Sequence, residues 1–381
     1  MQTIQLTQII QPINLSVKPF SGERFYIATG ALEGEQINFE SAEKVTFENK
    51  PSRANQEVQV GDVIFAKMQN TKKTLLITEK EKDFIYSSGF FVLRHGKEIL
   101  SGFLKHFLNS ASFLEQKDKN CTGATQRALT LEGLQKIQIP LPPLSHQKQI
   151  IQKLDTLTNL INLRKLSIDK TEKLTKSIFI EMFGDPMIND KGWEVSTLGK
   201  SCYFIKDGPH KSLNYIEKGI PFVSVNNIIK GFWDFGNVKF ISQEDYNFYS
   251  KRCKPEFGDI LYTKGGTTGF AKYVDLKIDF LNWVHLAVLK FDKNILNGRF
   301  LESILNTNYC YKQSQKYTRG IANRDLVLGQ MALIKIFLPP ISLQNKFASI
   351  VEKNEENIKK QKESLRKLEE LYASVMQESF S

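Results

Sequence analysis

Two short polar loops contain residues suited to contact an anionic polymer. The segment "TKGGTTG", residues 263–269, follows a predicted strand. Its glycines let the backbone approach a phosphate, and Lys264 adds positive charge. It differs from a nucleotide-binding P-loop, because Phe270 follows Gly269 where that motif requires lysine. The segment "KMQNTKKT", residues 67–74, occupies the matching place earlier in the chain and is basic but free of glycine. The two segments predict a variable reading loop, and a plain glycine turn is the alternative for "TKGGTTG".

A second pair of loops repeats an arginine. In "TGATQR" and "RGIANR", Arg127 and Arg324 coincide, and Gln126 lies opposite Asn323. Arginine bonds guanine through two donors, and glutamine or asparagine bonds adenine in the same way. A structural turn whose arginine pairs locally is the alternative. The candidate DNA-contacting residues are Lys67, Gln69, Asn70, Lys72, Lys73, Gln126, Arg127, Lys211, Asn226, Lys264, Thr267, Thr268, Arg319, Asn323 and Arg324.

No catalytic or metal-binding motif stands out. The dipeptides at Gly61–Asp62 and Gly258–Asp259 repeat, and an aspartate after glycine favours a turn over a catalyst. The five histidines do not recur, and the four cysteines have no metal-ligand spacing. A nucleophile elbow, a dinucleotide fingerprint and an Asn-Pro-Pro-Tyr methyltransferase signature are all missing from the sequence. We therefore expect no catalytic residue, no metal and no cofactor bound by this chain.

The elements that position these loops come from an internal repeat. The segment "IPLPPLSHQKQI", residues 139–150, returns as "IFLPPISLQNKF", residues 336–347, an offset of 197 residues. The same offset places "GDVIFAK" on "GDILYTK", and near the start of the chain "FYIAT" resembles "PFVSV" with a small drift. The sequence predicts a tandem duplication with pseudo-two-fold symmetry.

Each repeat separates into a globular part and a helical part. Short β-branched and aromatic runs bounded by Gly, Asn and Asp predict strands in the first part, so we expect mixed α/β domains with curved sheets. After each Pro-Pro pair the chain continues for roughly 38 residues without Gly or Pro, which predicts a helical rod of about 57 Å. We expect globular domains at 1–143 and 185–340 and long helices at 144–184 and 341–381.

The long helices have an interrupted 3.5-residue apolar repeat. This pattern favours an antiparallel coiled coil between them, and separate packing of each helix on its own domain is the alternative. The predicted helix-pairing residues are Ile150, Leu154, Leu157, Ile161, Ile168, Phe347, Val351, Ile358, Leu365 and Leu368.

The net charge of +11 indicates an anionic partner. Residues 185–341 contain 21 basic and 15 acidic residues, so the second globular domain holds much of the excess. Nucleic acid is the leading candidate, and an anionic membrane surface is weaker. The sequence has no apolar run as long as a membrane span and no signal-peptide pattern at its start, which leads us to expect a cytoplasmic protein.

These motifs resemble the specificity (S) subunit of type I restriction-modification systems. The resemblance rests on the two Leu-Pro-Pro helix entries, "MFGDP" after the first helix, "WEVSTLGK", and "GDILYTKGGTTG". It implies two target recognition domains, each reading one half of a bipartite double-stranded DNA target, and two spacer helices paired as a coiled coil. It also implies that this chain is non-catalytic and that two methyltransferase (M) subunits and further restriction (R) subunits join it. The partner subunits, and not this chain, would bind S-adenosylmethionine, ATP and Mg²⁺. The alternatives are a stand-alone DNA-modifying or cleaving enzyme and a coiled-coil protein scaffold.

Overall fold

The computed structural model describes residues 3–321 and 323–381, and these form two compact units. The first unit combines Met1–Leu166 with Lys362–Ser381, and the second is Ser167–Gln361. Each unit therefore contains one globular domain together with segments of both long helices.

The first unit is a mixed α/β structure. Its strands are β1 (Thr3–Gln5), β2 (Ile10–Ile13), β3 (Arg24–Ile27), β4 (Leu32–Glu33), β5 (Gln36–Ile37), β6 (Glu43–Val45), β7 (Ala54–Gln56), β8 (Val63–Ala66), β9 (Thr74–Leu76), β10 (Ile85–Ser87), β11 (Phe90–His95), β12 (Cys121–Thr122), β13 (Ala128–Leu129) and β14 (Gln138–Pro140). Its helices are α1 (Leu6–Ile9), α2 (Ser101–Leu108), α3 (Ala111–Lys119), α4 (Leu131–Leu134) and the start of α5 (Leu144–Phe183).

The second unit repeats this plan with fewer strands. They are β15 (Val195–Thr197), β16 (Cys202–Asp207), β17 (Ile220–Val223), β18 (Lys239–Ile241), β19 (Ile260–Thr263), β20 (Ala271–Tyr273), β21 (Leu281–Asn282), β22 (Leu286–Phe291) and β23 (Lys335–Phe337). The helices are α6 (Leu198–Ser201), α7 (Gln243–Tyr249), α8 (Gly298–Leu305), α9 (Asn308–Tyr317), α10 (Leu328–Met331) and the start of α11 (Ile341–Phe380).

The sheet order confirms the duplication. An antiparallel sheet with the order β2-β11-β8-β9 in the first unit corresponds to β16-β22-β19-β20 in the second. A second sheet in each unit has a parallel pair, β3 with β10 and β17 with β21. Register shifts within β10 and β16 mark irregularities that bend a strand, in agreement with the predicted curved sheets.

The central strands explain why the apolar runs were continuous. All four residues of β8 and all four residues of β19 are buried, so neither strand has a solvent face to alternate with. Each is preceded by the repeated glycine–aspartate turn. Gly61 and Gly258 adopt φ values of 91° and 95°, where a side chain is strained. Asp62 accepts a hydrogen bond from the Gln59 amide, which is the turn that the sequence favours.

The long helices pack together, which confirms their predicted antiparallel pairing. In the first unit, Leu154 and Leu157 near the start of α5 share a core with Met376 and Phe380 at the end of α11. In the second unit, Phe179 and Phe183 at the end of α5 share a core with Phe347 and Val351 at the start of α11. In both units, therefore, the first part of one helix lies beside the last part of the other.

The remaining predicted helix-pairing residues are buried to different extents. Ile150 and Ile168 are buried, whereas Ile161, Ile358, Leu365 and Leu368 are half-buried. Polar pairs supplement the apolar contacts: Lys165 Nζ lies 2.9 Å from Glu369 Oε1 in the first unit. Asn354 Nδ2 donates to Thr175 Oγ1 at 3.1 Å in the second.

Each helix entry is held by a buried glutamine. Gln147 accepts a hydrogen bond from the Leu100 amide and donates to the carbonyls of Glu98 and Pro142, all at 2.9 Å. Gln344 makes the equivalent bonds to Asn297, Ile295 and Pro339. The repeated Leu-Pro-Pro entry therefore locks each helix start onto its own domain. Among the described residues, no helix is long and apolar enough to cross a membrane.

Candidate nucleic-acid interface

The two predicted loops of the first unit lie side by side. The amide of Gln69 donates to the carbonyl of Arg127 at 2.9 Å, and the amide of Leu129 donates to the carbonyl of Lys67 at 2.8 Å. These bonds join the loop after β8 to the loop between β12 and β13. The candidates that were far apart in sequence thus form one surface.

The second unit joins its loops with the same backbone bonds. Gly266 donates to the carbonyl of Arg324 at 3.0 Å, and Leu326 donates to that of Lys264 at 2.7 Å. Each of the four residues lies 197 positions after its counterpart. The backbone frame is therefore repeated, while the side chains that it carries differ.

Several candidate side chains of the first unit are committed to internal bonds. Lys67 Nζ donates to the Ser88 carbonyl at 2.8 Å, and burial lowers the pKa of Lys67. Lys73 Nζ donates to the Thr29 carbonyl at 2.7 Å, and Gln69 Nε2 donates to the Asp118 carbonyl at 3.2 Å. These three side chains hold the loop in place.

The other four candidates of the first unit are exposed. They are Asn70, Lys72, Gln126 and Arg127. Asn70 adopts a φ of 57°, at the turn of its loop. Arg127 donates through Nη2 to the Cys121 carbonyl at 2.8 Å, which leaves its other guanidinium donors available.

In the second unit the candidates divide in the same way. Lys264 and Thr268 are buried, Arg324 is half-buried, and Thr267, Arg319 and Asn323 are exposed. Thr268 Oγ1 lies 3.0 Å from Thr318 Oγ1, and Arg324 donates to Gln315 Oε1. Thr267 and Asn323 therefore present their side chains to solvent.

Packing explains why position 269 of "TKGGTTG" is a glycine. A Cβ at Gly269 would lie 2.1 Å from Ser314 Oγ, and its φ of 90° already disfavours a side chain. The loop leads into β20, whereas a P-loop leads into a helix. Gly269 brings this loop against α9, as a tight turn would.

Lys211 and Asn226 occupy two other parts of the second unit. Lys211 is exposed in the loop after β16. Asn226 lines a cleft of about 470 Å³ with Tyr215, Lys239 and Trp283. Lys239 Nζ lies 4.1 Å from the centre of the Tyr215 ring, so the cleft combines cationic, aromatic and amide groups.

Sequence reasoning missed the residues that connect these parts. The rings of Trp283 and His285 are 4.3 Å apart, and the His285 carbonyl accepts a hydrogen bond from the Lys264 amide. Burial and the nearby charge of Lys264 lower the pKa of His285. Neither residue has a counterpart at the repeat offset, so no pattern in the sequence singled them out. Among the described residues, no group of three or more His, Cys, Asp and Glu is arranged to hold a metal ion.

The fold defines a protein of two repeated α/β domains joined by paired helices. The family model described as the type I restriction modification DNA specificity domain matches residues 18–173 and 190–370. These matches cover most of the chain, and the chain belongs to this family.

Known proteins extend the comparison. The EcoKI specificity subunit of a type I restriction enzyme from Escherichia coli (strain K12) is 25% identical over 244 residues, 59% of this chain and 52% of that protein. The chain therefore spans about half the length of this curated relative.

Two solved structures show the same fold. The S subunit of a type I restriction-modification system from M. genitalium has a TM-score of 0.62 at 16% identity, covering 100% of this chain and 96% of that one. A chain from a type I R-M system studied for its complex assembly and conformational transition has a TM-score of 0.60 at 21% identity, covering 99% and 97%.

Proposed function

We propose that this chain is the DNA sequence-specificity subunit of a type I restriction-modification complex and is itself non-catalytic. The observation that carries this proposal is the match of the DNA specificity family model to both halves of the chain. The net charge of +11 fits binding to DNA phosphates.

Each recognition domain is proposed to read one half of a bipartite target. The support is that both units join two loops through identical backbone bonds but equip them with different side chains. A constant frame places side chains at a base edge, and the exposed amide and guanidinium groups supply the hydrogen bonds that distinguish bases. The length of the paired helices would then set the gap between the half-sites.

Partner subunits are proposed to supply the chemistry. Two M subunits would transfer methyl groups from S-adenosylmethionine, and R subunits would use ATP and Mg²⁺ in the complete cytoplasmic complex. The duplication supports two M subunits, because two similar units offer two similar docking surfaces.

Sequencing of modified bases in host DNA tests the proposal. We expect one bipartite motif to lose its methylation when this chain is deleted and to regain it when the chain is restored. An unchanged methylation pattern in the deletion strain would contradict the proposal. Methylation or cleavage by the purified chain alone would instead support a stand-alone enzyme.

A further inference from the structure

A buried carboxylate in the second unit gathers an arginine, a lysine and a histidine. Asp207 ends β16, and its side chain is only 4% exposed. Its Oδ1 accepts a hydrogen bond from Arg252 Nη2 at 3.0 Å. Its Oδ2 lies 3.1 Å from His210 Nε2 and 3.5 Å from Lys264 Nζ. Three separate loops are thereby tied to one buried group.

The three partners differ in exposure. Lys264 is 7% exposed and has a second partner, Asp325, whose Oδ1 lies at 3.0 Å. Arg252 and His210 are 55% and 62% exposed. Lys264 contacts the Asp207 carboxylate from the buried side. Arg252 and His210 each contact it through one nitrogen, and the rest of both side chains faces solvent.

The exposed side of this cluster suits an anion. A guanidinium has five donors in a planar fork, and the bond to Asp207 uses only one of its nitrogens. Three exposed lysines lie next to the cluster in sequence: Lys206 precedes Asp207, Lys211 follows His210, and Lys251 precedes Arg252. A fixed guanidinium loses less freedom when it binds a phosphate than a mobile one does.

The first unit has no such arrangement at the matching lysine. Lys67 donates to the Ser88 carbonyl and lies 4.5 Å from the Phe91 ring centre. Among the described residues it has no carboxylate partner within ion-pair distance. The cluster is therefore specific to the second domain, where the chain also concentrates its positive charge.

We propose that Asp207 is a positioning residue that presents Arg252 to a DNA phosphate within the second half-site. This inference rests on the proposed function and extends it by assigning a phosphate contact to a residue outside the predicted loops. Asp207 itself does not touch the DNA.

The sign of one substitution separates positioning from simple charge. Asp207→Asn removes a negative charge, so electrostatics alone would tighten binding to any duplex. If Asp207 positions Arg252, the same change instead weakens binding to the complete target, by about tenfold, and weakens binding to scrambled duplexes as well, because a phosphate contact does not depend on sequence.

The experiment compares duplexes in a salt titration of the complex of this chain with its M subunits. The probes are the complete target identified by methylation mapping, the same duplex with the second half-site scrambled, and one with both halves scrambled. Arg252→Gln should weaken binding to the complete target and lower the slope of log affinity against log salt by about 1. Arg252 is exposed, so this variant carries the test if Asp207→Asn fails to fold.

Asp259→Asn is the matched control. Asp259 is also a buried aspartate of the second unit, with Lys290 Nζ at 2.6 Å, but it lies at the opposite end of β19 from Lys264. We expect this variant to bind every duplex as tightly as the parent complex or slightly more tightly, and to keep its salt slope.

Two outcomes would overturn the inference alone: equal tightening of all duplexes by Asp207→Asn, or an unchanged affinity and slope with Arg252→Gln. A parent complex that does not distinguish the complete target from the scrambled duplex would instead overturn the proposed function.

Discussion

At the residue scale, Gln147 and Gln344 explain why the helix entry is repeated so closely. Both side chains are fully buried, and each makes three hydrogen bonds to backbone groups of its own domain. A buried side-chain amide lowers stability unless its hydrogen bonds are made. Removing the amide also lowers stability, because its backbone partners are then left without hydrogen bonds. The glutamine thus fixes where the helix leaves the domain.

We expect Gln147→Leu to lower the free energy of unfolding by about 3 kcal/mol, because the Leu100 amide and two carbonyls lose their partner. Urea unfolding followed by circular dichroism measures this change. Gln149→Leu is the control, since Gln149 is exposed two residues further along the same helix. Equal losses in the two variants would show that the buried amide has no special role.

Asp155 predicts a dependence of stability on pH. Its Oδ1 lies 2.9 Å from His106 Nε2 and 3.0 Å from Lys105 Nζ. The bond to His106, with a further contribution from Lys105, lowers the pKa of Asp155 to about 2, although partial burial opposes this shift. Because the folded pKa lies below the ordinary value of 3.8, the carboxylate stabilises the first unit above about pH 4. This contribution is lost as the pH falls toward 2.

We expect Asp155→Asn to reduce the difference in unfolding free energy between pH 5 and pH 2.5, measured by urea unfolding at each pH. Asp169→Asn serves as the control, because Asp169 forms an exposed pair with Lys173 one turn away on the same helix. The interpretation is wrong if Asp155→Asn and the parent chain lose the same free energy on acidification.

At the element scale, each long helix ends on a phenylalanine that completes a domain core. The ring centres of Phe380, at the end of α11, and Phe103 are 5.1 Å apart in the first unit. The ring centres of Phe183, at the end of α5, and Phe300 are 4.7 Å apart in the second unit. The repeat offset relates Phe183 to Phe380 and Phe103 to Phe300. The C-terminal end of α11 therefore completes the core of the first domain, and the C-terminal end of α5 completes the core of the second.

We expect Phe183→Ala to cost about 3–5 kcal/mol, because it empties a fully buried aromatic site between α5 and α8. Hydrogen exchange should show lost protection in α8 of the second unit. Ile180→Ala is the control, since Ile180 is 46% exposed one turn earlier. Unchanged exchange in α8 would contradict this account of the helix end.

At the scale of the whole molecule, the duplication places one α/β domain with a pair of joined loops in each half of the chain. Both halves have the same sheet order, the same paired loops and the same glutamine lock. Their surfaces differ, because the second globular domain has the larger net positive charge and contains the Asp207 cluster. The proposed function assigns one half-site to each of these two domains.

The proposed gap-setting role predicts the effect of helix length. Deleting residues 162–168 and 359–365 removes one heptad from each helix and preserves the phase of the apolar seam. Each helix shortens by about 10.5 Å, so we expect the tolerated gap to shorten by about three base pairs with unchanged half-sites. Methylation of a library of gap lengths by the assembled complex measures this.

A deletion of four residues from each helix is the control, because it rotates the seam and should reduce stability instead of selecting a new gap. An unchanged gap preference after the heptad deletions would exclude the helices as the determinant of spacing.

The sequence alone determined the duplication, the mixed α/β class, the glycine–aspartate turns and the pairing of two long helices. These features repeat along one dimension, through a constant offset of 197 residues and a 3.5-residue apolar period. Only the tertiary structure decided which loop side chains are free. Lys67 and Lys264 occupy equivalent positions in the sequence repeat. Lys67 donates a hydrogen bond to a carbonyl, whereas Lys264 is buried between two aspartates.

The Asp207 cluster shows the physical reason for this limit. Arg252 and Lys264 reach Asp207 across 45 and 57 positions of sequence, from the ends of different elements. Such ion pairs depend on how sheet edges and loops are stacked, and no local pattern encodes that placement. The repeat reveals the shared frame, and folding decides which of the side chains on it can meet a partner.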